Sequence, residues 1–179
     1  MRPGIPNILR LISAVLLVTY GHAAPPTATF LADTDRRALH GLFGITLDKG
    51  IPANCETVKY LRRSENYVGV LVVPPKPDPA FSKYIVCAYS AENIVFRIIG
   101  ITKQPDQVRN AMVRHFGEPD LKFNLGKGSV IAWTNDTRVI QFVANRSDPD
   151  HPQFLVSCGN IKATSRVYDS DDYFKRFSQ

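Results

Sequence analysis

The chain has 179 residues, 44% of them hydrophobic and 21% charged, and 22 Lys and Arg against 16 Asp and Glu give a formal charge of +6. That length and balance exclude a disordered or fibrous chain and suit one globular domain. Thirteen prolines and eleven glycines punctuate apolar runs instead of gathering into a low-complexity tract.

The N-terminus has the three parts of a secretory leader. Arg2 and Arg10 supply positive charge, Leu11 to Thr19 is apolar, and Gly21 and Ala23 satisfy a small-x-small cleavage rule. The sequence therefore predicts a leader over residues 1–23, cut after Ala23, and an exported product, periplasmic or secreted. The apolar run is too short for a stable membrane anchor, and no cysteine follows the cut to accept a lipid. Loss of Arg2 and Arg10 with the leader lowers the charge from +6 to +4. No dense Lys/Arg run or aromatic-basic interleaving marks a nucleic-acid surface; a protein partner is expected, with no nucleic acid and no stable membrane anchor.

Export places Cys55, Cys87 and Cys158 where a disulfide can persist. An odd count predicts one pair and one thiol. Loop-closure entropy differs too little between the pairings to select one. Cys158 lies in an apolar strand-like run, where a free thiol serves as a small hydrophobe, so Cys55 with Cys87 is preferred.

In chain order, residues 24–41 read as a flexible or short-helical segment, with Asp33 to His40 as the helix. Leu42 to Leu47 reads as a strand and Asp48-Lys49-Gly50 as a turn. Asn54 caps a second short helix, Cys55 to Arg63, in which Val58 and Leu61 share a face. Tyr67 to Val73 is a buried strand. It ends at Pro74-Pro75-Lys76-Pro77-Asp78-Pro79, a stiff extended connector. Strands at Lys83 to Tyr89 and Asn93 to Ile101 form a hairpin.

The helix Pro105 to Phe116 has the fullest set of signals: proline in the first turn, Asp106 at the positive end, and cations in the last turn. A stripe of Val108, Ala111, Met112, His115 and Phe116 faces the core, and Gly117 stops the helix. Strands follow at Lys122 to Leu125, Ser129 to Thr134, Thr137 to Ala144 and Phe154 to Cys158, with tight turns at Gly126-Lys127-Gly128 and Asn135-Asp136. Residues 42–165 thus form one α+β domain, an antiparallel sheet packed by one main amphipathic helix. Gly44-Ile45-Thr46 echoes Gly100-Ile101-Thr102 and suggests a duplicated strand-helix-strands unit. Residues 166–179 form a tail rich in acids and aromatics.

Catalytic chemistry finds little footing. Ser157-Cys158-Gly159 is not a nucleophile elbow, and His115 sits on the core stripe of its helix. Asp148, Asp150 and His151 make the best metal-like cluster, although two carboxylates and an imidazole between prolines also describe a polar hairpin loop. Leu125 to Ser129 lacks the spacing of a phosphate loop. Trp133 reads as a core anchor. Sequons occur at Asn135 and Asn145, the first in a turn that presents its amide to solvent. No cofactor is implied.

The order Phe43-Gly44-Ile45-Thr46-Leu47, Cys55, Cys87, Ile101-Thr102, Phe116-Gly117-Glu118-Pro119 and Trp133 resembles small exported bacterial domains of uncharacterised function over Phe43 to Val143. Those domains carry a glycine where Asp48 or Lys49 stands here. The helix-across-sheet plan also resembles periplasmic folds of the β-lactamase-inhibitor and outer-membrane-assembly lipoprotein type. The resemblance implies Cys55 pairing with Cys87, protein binding, and no catalytic centre.

The expected function is a non-enzymatic binding module: an inhibitor, an immunity-type protein or an envelope accessory protein. Its contact surface is expected at Pro74, Pro75, Lys76 and Pro77 and at Tyr168, Tyr173 and Phe174. The alternatives are a small envelope hydrolase using carboxylates with His151, and a secreted effector.

Overall fold

In the computed structural model the described residues are 29–162, apart from 33, 64, 147–149 and 151. The expected leader, the expected tail with Tyr168, Tyr173 and Phe174, and Asp148 and His151 lie outside the described residues.

An eight-stranded antiparallel sheet forms the body. Its strands are β3 (Glu56–Arg63), β4 (Tyr67–Val73), β5 (Phe81–Tyr89), β6 (Val95–Thr102), β7 (Leu121–Leu125), β8 (Gly128–Thr134), β9 (Arg138–Asn145) and β10 (Gln153–Asn160). They lie in the order β3-β4-β5-β6-β10-β9-β8-β7. Two meanders, β3 to β6 and β7 to β10, thus meet where β10 pairs with β6, Val156 opposite Gly100. The helix α1 (Pro105–Phe116) connects them. The architecture is α+β and dominated by the sheet.

The two faces of the sheet carry separate apolar clusters. Alternation along each strand sends Val70, Val72, Val86, Ile98, Ile140, Phe142 and Val156 to the first face, where they share one cluster with Val108, Ala111, Met112 and Phe116 of α1 and with residues between Phe30 and Leu47 such as Leu31, Leu42 and Phe43. Ile85, Cys87, Phe96, Ile99, Val130, Val143 and Leu155 form the second cluster. Arg97, Gln141 and Ser157 are also buried, and Arg97 Nε donates to Ser157 Oγ at 3.0 Å.

The helix has the bounds expected of it, and its ends explain why. Pro105 stands at the first position, and the backbone N–H of Gly117, at φ 79°, donates to Val113 O at 2.8 Å. Two further donors satisfy carbonyls there: Arg36 Nη1 to Phe116 O (2.8 Å) and Trp133 Nε1 to Gly117 O (2.9 Å). Trp133 is wholly buried against Phe116, ring centroids 5.4 Å apart, and so is a core anchor. His115 departs from the expected stripe: it is exposed, and its Nε2 meets the Thr34 carbonyl.

Three local expectations are corrected. First, the described part of the expected helix before Gly41 is a turn, because Asp35 Oδ1 accepts the N–H groups of both Arg37 and Ala38 at 2.7 Å. A short acidic side chain competes here with the helical ladder. Second, Leu42 to Leu47 is two strands, β1 (Gly41–Leu42) and β2 (Ile45–Thr46), paired across Phe43 and Gly44 at φ 58° and 77°. Two residues in the left-handed region make the tight turn that reverses the chain. Phe43 thereby enters the core, with ring centroids 4.9 Å from both Phe81 and Tyr84.

Third, Cys55 to Arg63 is not a helix; Glu56–Arg63 is the edge strand β3. Its register on β4 runs Thr57 to Val72, Lys59 to Leu71, Tyr60 to Val70, Arg62 to Gly69 and Arg63 to Val68. Val58 and Leu61 are therefore the extra residues of two bulges three positions apart. That spacing imitates a helical face, and strand pairing overrode it.

Candidate functional site

The two bulges have a consequence for chemistry. Each inserts one residue, so Thr57, Tyr60 and Arg63, which an unbroken strand would split between faces, all stand opposite the inward-facing Val72, Val70 and Val68. They form one wall of an open groove of about 440 Å³. Ile51, Pro52 and Cys55 also line it, as do Ser90 and Asn93 of the β5–β6 turn. Asn93 sits at φ 54°, which lets that turn reverse tightly. The groove is lined mostly by polar groups, with Arg63 its one cation, above the side chains of Val68 and Val70.

All eight residues of β3 are exposed, including Val58, Tyr60 and Leu61 at 55%, 53% and 41%. Arg63 lies over the Tyr60 ring at 4.7 Å, and Arg62 over Tyr67 at 5.2 Å. Such stacking orders two long side chains at little cost in contact with water. Against Lys59, Arg62 and Arg63 the strand carries one carboxylate, Glu56. The edge therefore presents ordered cations among apolar side chains.

The cysteines do not form the expected Cys55–Cys87 bridge: all three are free and buried. Cys55 belongs to the first cluster and Cys87, opposite Gly69, to the second, so the sheet separates their side chains. Burial pushes the Cys55 thiol up, that of Cys87 to about 11 and that of Cys158 to about 12. Arg97 draws Cys87 part of the way back. Thiols held neutral in this way are poor nucleophiles.

The remaining sequence candidates are dispersed. Asp150 is exposed, and no group of three metal-ligating side chains occurs among the described residues. Pro74 is buried, whereas Lys76 and Pro77 are exposed. The connector is fastened at both ends: the Lys76 N–H donates to Phe43 O at 3.1 Å, and the Tyr84 hydroxyl bonds both the N–H and the carbonyl of Asp78. The Asn135 amide does not face solvent freely. It donates to Arg37 O at 2.8 Å while Oδ1 accepts the Thr137 and Arg138 N–H groups.

Other perturbed carboxyls serve the fold. The Thr134 N–H and then Arg36 hold Asp120 below its usual range. Lys122 does the same for Glu118, 2.8 Å away. Both lie beside the end of α1. Comparison with known families, characterised proteins and solved structures finds no match to this chain.

Proposed function

We propose that this chain is an exported, non-enzymatic binding module, of the inhibitor, immunity or envelope-accessory kind, that holds a protein partner at β3 and the groove beside it. The observation that carries the reading is an eight-residue edge strand exposed along its whole length, with Val58, Tyr60 and Leu61 set among stacked arginines. Aromatic and arginine side chains supply most of the energy of protein interfaces. The bulges discourage indiscriminate strand addition, so recognition runs through side chains: a carboxylate of the partner at Arg63, polar groups of the partner in the groove, and apolar contact on the exposed Val58 and Leu61. The leader read at residues 1–23 sets the compartment in which that partner is met. The two four-stranded meanders are read as copies of one plan, the second headed by α1 and the first by the β1–β2 hairpin.

A photo-crosslinking residue in place of Tyr60 tests the reading, with the same residue in place of exposed Lys103 as control. In the native envelope, one protein adduct is expected at position 60, none at 103, and loss of the adduct on adding Arg63→Glu. Equal labelling at both positions would sink the assignment.

A further inference from the structure

The two edges of the sheet are built on opposite principles. β3 is broken by two bulges and carries three cations. β7 pairs with β8 in unbroken register from Leu121 opposite Ala132 to Leu125 opposite Gly128. Leu121 and Phe123 share a face and are exposed at 49% and 44%. Lys122, the one charged residue of β7, is matched by Glu118 at 2.8 Å. Regular pairing, exposed apolar side chains and matched charge are the features that protected edges lack.

From these observations we propose that β7 is a homodimer edge: a second copy of this chain adds its own β7 antiparallel, across a two-fold axis at Phe123. The central residue of a five-residue strand gives the fullest overlap. In that register Phe123 faces its own copy, Leu121 lies opposite Leu125 and Lys122 opposite Asn124. No like charges are directly opposed, and aromatic cross-strand pairs favour pairing. Self-pairing of β3 would instead gather six cations against two carboxylates. The occupant is therefore a second copy at β7 and a different, acidic protein at β3.

The contact is one strand wide and about 17 Å long, less than the roughly 800 Å² per partner of a permanent interface. A reversible, concentration-dependent dimer follows. It joins two sheets into sixteen strands and sets the two β3 surfaces about 70 Å apart measured along the sheet. This inference rests on β7 alone and stands whether or not the β3 reading holds.

Sedimentation of the mature protein between micromolar and millimolar concentration tests it. The expected result is a monomer–dimer equilibrium that Phe123→Lys shifts at least tenfold toward monomer and Tyr60→Lys leaves within twofold. Far-ultraviolet dichroism confirms that both variants are folded. A Phe123→Cys variant reads the register: directly opposed strand residues lie about 4.5 to 5.5 Å apart, so mild oxidation should give a covalent dimer, whereas Lys103→Cys should not. A wild-type monomer throughout the range, or equal cross-linking of the two cysteine variants, overturns the proposal.

Discussion

Gly100→Ala should destabilise the fold although it adds a single methyl group. Gly100 lies mid-sheet in β6, opposite Tyr84 on one side and Val156 on the other. A Cβ there would stand 2.5 Å from Phe43 Cζ and 2.7 Å from Phe81 Cδ1. Both rings are buried and edge-packed on one another, and Phe43 is further held by the turn at φ 58°. Overpacking of this kind costs about 1–3 kcal/mol. Restricting the unfolded chain returns about 0.4–1 kcal/mol. A net loss centred on about 1.3 kcal/mol follows, a fall of roughly 3–5 °C in Tm for a chain of this size. Urea unfolding followed by the fluorescence of Trp133 measures it. Combining Gly100→Ala with Phe81→Leu should recover at least about 0.5 kcal/mol relative to additivity. A midpoint equal to or above that of wild type would refute the account of why glycine occupies this position.

Thiol titration should count three free cysteines after denaturation and almost none in the native state at pH 8, with Cys55 the first to react; a count of one would restore the disulfide. Because burial raises the Cys87 and Cys158 thiols to about 11 and 12 from 9.0, the unfolded chain releases protons first. Stability is then full below about pH 9 and falls above it, by up to about 1.4 kcal/mol per pH unit for each thiol; replacing both by Ala should flatten that alkaline limb. Trp133→Phe should lose about 1–3 kcal/mol, since Gly117 O loses its buried donor, and native-state hydrogen exchange should show the last turn of α1 opening more often. Arg36→Ala, which removes the bonds to Phe116 O and Asp120, should cost about 1 kcal/mol or less because the side chain is half exposed. The lowered Asp120 carboxyl stabilises above its ordinary 3.8 and loses that contribution as pH falls through its folded value, so Asp120→Asn should lower stability near neutral pH and shift the acid-unfolding midpoint to higher pH.

Local pattern was enough for much of the molecule. A proline start, a glycine stop and a four-residue apolar stripe fix the bounds of α1 at Pro105–Phe116, because capping and periodicity are properties of neighbouring residues. The β-branched run Tyr67–Val73 and the strands around Trp133 are legible for the same reason. The sequence by itself therefore determined an antiparallel α+β domain and the helix laid across it.

Tertiary contacts decided the rest. Val58 and Leu61 have helical spacing, and only pairing with β4 makes them bulges and brings Thr57, Tyr60 and Arg63 to one groove. Cys55 and Cys87 look like a bridge until the sheet comes between them: Cys55, just ahead of β3, packs into the first cluster, whereas alternation along β5 turns Cys87 to the second. The difference between the edges was also invisible beforehand, since an edge exists only once strand order is known. Periodicity along a chain tells which side chains share a face; pairing between strands tells which face, and which neighbour, they meet.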